Sequence, residues 1–290
     1  MATPAQWLAG ARPRTLPAAV APVLVGTGAA AALDGFRVGP ALLALFVALA
    51  LQVAVNYAND YSDGTRGTDA DRVGPMRLVG SGAAAPRQVL LAAALAFAAA
   101  GVAGLALAAL SSWWLVAVGA VCIVAAWTYT GGPLPYGYRA LGEVFVFVFF
   151  GLVAVVGTTF AQTRSVEGLA VAAAVPIGLL SVALLVVNNL RDIAGDAEVG
   201  KRTLAVLMGD RGTRLAYAGL LGVSLLGVVL IGIDRPWALL ALLGAPLGGA
   251  PLRTVLSGGR GPALIAALQG TGLLTLVTGV LLGAGLALSG

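Results

Sequence analysis

Two short polar motifs interrupt an otherwise apolar chain, and each pairs an amide with a carboxylate four residues later. Asn59 is followed by Asp63, and Asn188 is followed by Asp192. A spacing of four residues places the two side chains on one face of a helix. Their oxygens are hard ligands of the kind that Mg²⁺ prefers, and Asp196 adds a further carboxylate to the second motif. The motifs therefore predict a divalent-metal site.

Basic residues accompany both motifs. Arg72 and Arg77 follow the first motif, and Lys201 and Arg202 follow the second. Mg²⁺ often completes its coordination shell with phosphate oxygens of a substrate, and basic side chains bind the same phosphates. The sequence therefore predicts that these four residues contact a diphosphate, or an acidic group of a second substrate, beside the metal.

The simpler alternative is that both polar segments are solvated loops on the cytoplasmic side of a membrane. Such loops are rich in cations, but Asp and Glu contribute little to membrane topology. The segments 60–87 and 191–214 hold eight of the twelve acidic residues of the chain. This density of acids at two helix ends favours a metal–diphosphate site over solvated loops.

The elements that position these motifs must be membrane helices. Of the 290 residues, 59% are hydrophobic and only 10% are charged, whereas an ordinary soluble domain has about 25% charged residues. Apolar runs of about 20 residues cross a hydrocarbon core as helices, because only helices or closed barrels satisfy their backbone in lipid. Nine transmembrane helices are predicted: Leu16–Leu33, Val38–Tyr57, Val89–Leu110, Trp113–Thr130, Leu141–Ala161, Leu169–Leu190, Leu215–Ile233, Trp237–Leu256 and Ala263–Leu288.

The distribution of cations predicts the orientation of these helices. If the N-terminus is cytoplasmic, the outer segments contain only Arg37, Arg164 and Arg235, which leaves fourteen of the seventeen cations inside. Cytoplasmic segments of membrane proteins carry such an excess of Lys and Arg. Both polar segments, predicted as loops, then lie on the cytoplasmic side. The chain is predicted to form a single all-α transmembrane domain over residues 1–290.

The spacing of the motifs indicates an internal repeat. Asn188 lies 129 residues after Asn59, and each motif follows an even-numbered predicted helix. Weak symmetry of this kind suggests two pseudo-repeated four-helix halves. The two motifs would then meet across a central cavity, which long apolar substrates enter from the lipid.

Five tyrosines lie at the predicted cytoplasmic helix ends. One interpretation is an interfacial aromatic belt. The other is that one or two of them, such as Tyr129, line the cavity and stabilise a carbocation through the ring face. The five are Tyr57, Tyr61, Tyr129, Tyr136 and Tyr138.

The motifs resemble those of the UbiA superfamily of intramembrane aromatic prenyltransferases. That family has an N-D-x-x-D-type motif after the second of nine helices and a D-x-x-x-D motif after the sixth. This chain has Asn59-Asp60-x-x-Asp63 and Asp192-x-x-x-Asp196 in the same order. The first motif of the family usually continues to another Asp four residues later, where this chain has Gly67.

Longer segments are similar to the branch of the superfamily that acts on 1,4-dihydroxy-2-naphthoate in menaquinone biosynthesis. They begin at Arg12, Gly67, Asn188 and Gly200 and run RPRTLP, GTDADRVGPMRL, NNLRDI and GKRTL. The resemblance implies Mg²⁺-dependent transfer of a polyprenyl chain from polyprenyl diphosphate to this naphthoate. Loss of CO₂ would give demethylmenaquinone and diphosphate. It further implies a bacterial plasma-membrane enzyme whose site faces the cytoplasm, with the lipid bilayer and no nucleic acid among its partners.

The resemblance also implies roles for the polar residues. Asn59, Asp63, Asp192 and Asp196 are expected to hold two Mg²⁺ ions, and Asn188 is expected to assist in substrate binding. Breaking an allylic C–O bond leaves charge on diphosphate, which metal ions and basic side chains stabilise. The electron-rich ring then attacks the cation, so no protein nucleophile is required. Asp60 or Asp69 is the candidate base for the phenolic proton.

Other functions fit the same composition. A transporter can also have repeated halves with paired polar sites, but its ionisable residues usually lie near the bilayer midplane. A phospholipid-headgroup transferase carries its Asp motif in one contiguous segment rather than in two halves. The remaining alternative is the same fold acting on another acceptor, such as 4-hydroxybenzoate.

Overall fold

The computed structural model describes residues 2–67 and 76–290. The predicted site residues Asp69 and Arg72 lie outside the described residues. The described part of the chain consists of helices and connecting segments, with no strand. This confirms the predicted all-α class.

Apart from two three-residue helical turns, ten helical segments follow one another in the described residues and are numbered here α1 to α10. Seven of them are long and apolar enough to cross a membrane, and α2 and α5 are shorter apolar helices. The positions of these nine match the nine predicted spans, whereas the number that crosses a bilayer stays a prediction. The segments are Pro4–Ala11, Pro17–Ala31, Val38–Arg66, Pro86–Leu110, Trp114–Thr128, Gly142–Thr163, Gly168–Glu198, Leu204–Asp234, Pro236–Leu256 and Pro262–Ala287.

The two polar segments differ from the prediction, because much of each is helical rather than a loop. α3 continues through the first motif to Arg66, and α7 continues through the second motif to Glu198. The four-residue spacing of amide and carboxylate is compatible with this continuation. The loops predicted over 60–87 and 191–214 therefore begin later, after Arg66 and after Glu198. The motif side chains therefore project from the last turns of two long helices.

A glycine follows the end of each of these helices. Gly67 has φ +73° and caps α3, with its N–H bonded to the carbonyl of Asp63. Gly200 has φ +75° and follows α7, so that the N–H of Lys201 donates to the carbonyl of Asp196 at 2.8 Å. This left-handed conformation suits glycine because it has no Cβ. The turn after α7 thereby returns Lys201 to the second motif.

The bundle is closed by tight packing between α2 and α10. A Cβ on Gly28 would collide with the backbone of Gly283, and a Cβ on Gly279 would lie 2.5 Å from that of Ala21. Small residues at such crossings let helix backbones approach closely. The neighbouring α9 is irregular: Pro236–Gly248 is wound as a 3-10 helix before Gly249–Leu256 becomes α-helical.

The end of the bundle opposite the motifs is held by hydrogen bonds between connecting segments. Arg37 precedes α3 and Arg164 follows α6, and both guanidinium groups donate to the carbonyl of Leu110. The backbone N–H of Arg37 also donates to Gln162 at 3.2 Å. Two of the three cations that were predicted to lie outside thus meet at the end remote from the motifs.

Candidate functional site

A cavity of about 890 Å³ lies between α3 and α7, and both motifs line it. Asn59 and Asp63 reach it from α3, whereas Asn188, Asp192 and Asp196 reach it from α7. The structure therefore brings together two motifs that are 129 residues apart in the chain. Most of the remaining lining is apolar, so the polar groups are concentrated at the ends of the two helices.

Asp63 is the most heavily contacted carboxylate of the first motif. The hydroxyl of Tyr138 donates to its Oδ1 at 2.7 Å, and Arg77 Nη2 lies 3.4 Å from its Oδ2. Asp63 is only 3% exposed. A carboxylate buried this deeply requires hydrogen bonds and positive charge around it. Tyr138 and Arg77 provide one hydrogen bond and one positive charge to this carboxylate.

Lys201 joins the two motifs. Its Nζ lies 3.6 Å from Asp63 Oδ1 and 3.9 Å from Asp196 Oδ1, and 4.5 Å from the centre of the Tyr138 ring. A single cation thus lies between one carboxylate from each half of the chain. This arrangement identifies a place in the cavity that favours positive charge.

The second motif contains an ion pair of its own. Arg191 forms a two-pronged contact with Asp192, with Nε 2.6 Å from Oδ1 and Nη2 2.7 Å from Oδ2. Its Nη2 also donates to Asn188 Oδ1 at 2.9 Å. A guanidinium matches a carboxylate well in this geometry. The Arg191 side chain is 2% exposed, so the pair is fixed inside the protein.

Hydrogen bonds from the connection after α5 fix Asn59. The hydroxyl of Thr130 donates to Asn59 Oδ1 at 2.7 Å. The guanidinium of Arg66 donates to the carbonyls of Thr130 and Gly132 and lies over the Tyr138 ring, 5.5 Å from its centre. Arg66 thus fastens the end of α3 to this connection, which carries Thr130 and Tyr138 to the first motif.

A row of aromatic rings forms one wall of the cavity. The Tyr129 and Tyr136 rings meet edge to face at 5.4 Å, Tyr136 stacks on Phe145 at 4.0 Å, and Phe149 follows at 5.9 Å. All four line the cavity. Burial raises the pKa of the Tyr136 hydroxyl, which stays protonated and donates to the carbonyl of Ala125 at 2.9 Å. Ring faces here can stabilise a nearby cation.

Two of the predicted site residues lie outside the cavity lining. Asp60 is 1% exposed, and its two oxygens accept the backbone N–H groups of Leu78 and Val79 at 2.7 and 2.9 Å. Its position favours a structural role over the predicted catalytic one, because both oxygens hold the segment that returns to α4. Arg202 has an exposed side chain, and its backbone N–H donates to the carbonyl of Tyr138.

The remaining predicted residues of the described chain line the cavity, together with several that the sequence analysis had not assigned to the site. Arg191 could have been found, because it lies between Asn188 and Asp192. The others lie far from the motifs in sequence or within a span, and no spacing rule singles them out. They are Arg12, Arg14, Thr15, Gln52, Asn56, Thr130 and Tyr138.

The apolar helices, with carboxylates and cations that meet in one cavity, define a polytopic membrane protein. A family model described as the UbiA prenyltransferase family matches residues 19–268. The chain belongs to this family, and the resemblance found in its motifs is confirmed.

Curated relatives match over most of their length. A protein of Mycobacterium tuberculosis named 1,4-dihydroxy-2-naphthoate octaprenyltransferase is 55% identical over 277 residues, covering 96% of this chain and 95% of that protein. A protein of Escherichia coli with the same name is 39% identical and covers 83% of this chain and 82% of its own.

Solved structures share the fold at low sequence identity. The apo structure of a UbiA homolog from Aeropyrum pernix K1 has a TM-score of 0.69 at 18% identity and covers 93% of this chain and 96% of its own. A UbiA homolog from Archaeoglobus fulgidus, bound to DMAPP and Mg²⁺, has a TM-score of 0.62 at 14% identity, with coverage of 96% and 99%. These likenesses establish the fold.

Proposed function

We propose that this chain transfers a polyprenyl group from its diphosphate to 1,4-dihydroxy-2-naphthoate, with loss of CO₂, to give diphosphate and the hydroquinone form of demethylmenaquinone, whose oxidation to the quinone is a separate step. The observation that carries the proposal is the convergence of Asp63, Asp196 and Lys201 at one part of an apolar cavity. The names of the relatives from M. tuberculosis and E. coli support the choice of acceptor.

The polar ends of α3 and α7 fit Mg²⁺. Asn59, Asp63, Asp192 and Asp196 offer the amide and carboxylate oxygens that this ion prefers, and they line one cavity. The ammonium of Lys201, placed between two of the carboxylates, marks a position where a cation is stabilised. When bound, Mg²⁺ supplies Lewis-acid stabilisation of the diphosphate leaving group.

Cationic side chains bind the diphosphate. Lys201 and Arg77 are within 4 Å of Asp63 and line the cavity, so they can contact phosphate oxygens that lie against the motifs. Their charge stabilises the negative charge that grows on the leaving oxygen as the allylic C–O bond breaks. Arg72, which lies outside the described residues, is proposed for the same task, and Asn188 for orienting the diphosphate.

The aromatic wall accommodates the prenyl cation. Breaking the C–O bond leaves positive charge on the allylic carbon, and the faces of Tyr129 and Tyr136 can stabilise that charge. Phe145 and Phe149 continue the wall and present an apolar surface to the isoprenoid chain. The dry lining also keeps water from capturing the cation.

The acceptor ring completes the reaction. Its carbon bearing the carboxylate attacks the allylic carbon, and the electrons of the carbon–carboxylate bond return to the ring as CO₂ leaves. The ring therefore regains its aromatic character without loss of a ring proton. Asp69 remains the candidate base for a phenolic proton, whereas Asp60 is proposed to have a structural role because both of its oxygens bind backbone N–H groups.

The orientation of the site follows from the distribution of cations. We propose that the motif end of the bundle faces the cytoplasm of a bacterial plasma membrane, with the N-terminus on the same side. Arg37 and Arg164 lie at the opposite end, whereas fourteen of the seventeen cations belong to segments predicted on the motif side, and this excess supports the orientation. To test this orientation, exposed Arg202 is replaced by cysteine. We expect a membrane-impermeant thiol reagent to label this cysteine only when the reagent is added from the cytoplasmic side.

A reconstituted assay tests the reaction. The purified protein is incubated with Mg²⁺, a polyprenyl diphosphate and either 1,4-dihydroxy-2-naphthoate or 4-hydroxybenzoate. We expect prenylated product and CO₂ from the naphthoate and neither from 4-hydroxybenzoate. A sample with EDTA is the control for metal dependence. Product from 4-hydroxybenzoate alone would contradict the proposed acceptor, and full activity in EDTA would contradict the metal requirement.

A further inference from the structure

The cavity faces of α3 and α7 correspond through the 129-residue repeat. The α3 stripe is Gln52, Asn56, Asn59 and Asp63, and the α7 stripe is Ser181, Leu185, Asn188 and Asp192. All eight line the cavity. Residues at i, i+4, i+7 and i+11 follow one face of a helix, so each stripe runs inward from its motif. Both stripes have the same Asn and Asp at the motif, but only the α3 stripe remains amide-bearing deeper in the bundle.

Hydrogen bonds around Gln52 fix the orientation of its amide. Asn56 Nδ2 donates to the carbonyl of Ala11 at 2.9 Å, which leaves Asn56 Oδ1 to face Gln52 Nε2 at 3.5 Å. The hydroxyl of Thr15 donates to the carbonyl of Arg12, so its oxygen acts as the acceptor for Gln52 Nε2 at 2.9 Å. Both neighbours therefore accept hydrogen bonds from the nitrogen of Gln52.

This orientation leaves Gln52 Oε1 as an acceptor with no hydrogen-bond donor among the described residues. Gln52 is 6% exposed. An unsatisfied buried carbonyl costs free energy, so in native proteins it calls for a specific explanation, such as a bound water, an ion or a ligand that donates to it. The matching residue of the α7 stripe has no such deficit, because the Ser181 hydroxyl donates to the carbonyl of Ile177 at 3.0 Å.

The charged residues near Gln52 indicate what kind of ligand would donate a hydrogen bond to its Oε1. Arg12 and Arg14 line the same cavity, and both lie within three residues before Thr15, the hydrogen-bond partner of Gln52. A ligand that presents a hydroxyl to Gln52 and an acidic group to these guanidinium groups complements this part of the cavity. Seven residues separate Gln52 from Asn59, so Gln52 lies about two helical turns deeper than the metal motif.

We propose that Gln52 determines acceptor specificity, with its Oε1 accepting a hydrogen bond from a ring hydroxyl of a hydroxylated aromatic acid. This inference rests on the proposed function and deepens it by naming the residue that selects the acceptor. Thr15 and Asn56 act as positioning residues, because they hold the Gln52 amide with its oxygen available. The diphosphate is bound at the motif ends, and the acceptor is bound farther along the α3 stripe.

The test uses Gln52→Met, which keeps a side chain of similar length and removes the acceptor oxygen. Binding of 1,4-dihydroxy-2-naphthoate to the purified, Mg²⁺-supplied protein is measured under anaerobic conditions from the fluorescence of the naphthoate. The KM for polyprenyl diphosphate is measured in parallel. Ser181→Ala is the matched control, because it removes a hydroxyl from the corresponding position of the other stripe.

We expect about a tenfold increase in the Kd for the dihydroxynaphthoate in Gln52→Met, with the KM for polyprenyl diphosphate unchanged. Ser181→Ala should bind both substrates as the wild type does. The wild type should also prefer the dihydroxynaphthoate over at least one of 1-hydroxy-2-naphthoate and 4-hydroxy-2-naphthoate, and Gln52→Met should lose that preference.

Equal acceptor binding by the wild type and Gln52→Met would overturn the inference. Parallel losses for acceptor and polyprenyl diphosphate would also overturn it, since they would indicate a general structural role. A wild type that binds the naphthoate without transferring a prenyl group would overturn the proposed reaction, while the binding comparison would still decide the role of Gln52.

Discussion

The α3 and α7 stripes share their Asn and Asp, but their additional polar residues lie on opposite sides of that pair. The α3 stripe continues inward through Asn56 and Gln52, whereas α7 continues outward to Asp196. The residue of the first half that corresponds to Asp196 is Gly67, which ends α3. We therefore propose that the repeat supplies a common metal-binding pair and that each half adds a different function: acceptor recognition on α3 and a further carboxylate on α7.

The largest effect is expected at the shared pair. Asp63→Asn and Asp192→Asn should each lower kcat by about 10²–10³, because each removes a carboxylate that is proposed to hold Mg²⁺ at the leaving group. Initial rates across a Mg²⁺ series would measure the loss. If one variant keeps full activity at saturating Mg²⁺, the two halves do not contribute equally to the metal site.

The residues just after the two Asn residues should affect stability more than activity. Asp60→Ala should lower the free energy of unfolding by about 3 kcal/mol, because two buried backbone N–H groups lose a charged acceptor. The corresponding Asn189→Ala should cost about 1–2 kcal/mol, since it removes one hydrogen bond to Glu143 at 3.0 Å. Thermal unfolding in detergent would rank them, and a reversed order would contradict this assignment.

Lys201 should affect binding of one substrate. Lys201→Met should raise the KM for polyprenyl diphosphate about tenfold, because a cation near the phosphates is lost. Arg202→Met is the control, because that side chain is exposed and outside the cavity lining. Steady-state kinetics with varied diphosphate would separate them, and equal KM values for the two variants would argue against a role for Lys201 in binding.

The smallest expected effect is on stability, at glycines near the C-terminal ends of α3 and α7. Gly67→Ala should destabilise the protein by about 1 kcal/mol, because φ +73° is unfavourable for a residue with a Cβ. Gly195→Ala lies within α7 with open space around it, and should instead stabilise by roughly 0.5–1 kcal/mol. A lower Tm for Gly67→Ala and a higher Tm for Gly195→Ala would agree with the left-handed conformation of Gly67 and the helical conformation of Gly195.

The apolar helices and the placement of each Asn–Asp pair on one helical face could be predicted because their signals are local. Long apolar runs specify the spans, and Asn and Asp four residues apart specify one helical face, as at Asn59 and Asp63. The continuation of the helices through both polar segments was missed, because loss of hydropathy marks the edge of an apolar segment rather than the end of a helix. α3 ends at Gly67, where the backbone turns left-handed.

The part of the cavity around Gln52, where we propose that the acceptor binds, could not be predicted from the spacing of residues. Gln52 is positioned by Thr15, which lies 37 residues earlier in the chain, and by Asn56 on its own helix. The structural role proposed for Asp60 could not be predicted for the same reason. Its place within the family motif suggests chemistry, whereas its hydrogen-bond partners at Leu78 and Val79 become visible only when the chain is folded.

The ammonium of Lys201 lies between Asp63 and Asp196. The protein itself therefore provides a counter-ion for these two carboxylates. The ammonium partly neutralises the charge of buried Asp63 and of partly exposed Asp196. We expect entry of a metal–diphosphate complex to exchange one cation for another between the carboxylates and to free the ammonium for the phosphates. Loading and product release would then alter the net charge of the cavity only slightly, which keeps the electrostatic cost of each turnover low in a medium that solvates ions poorly.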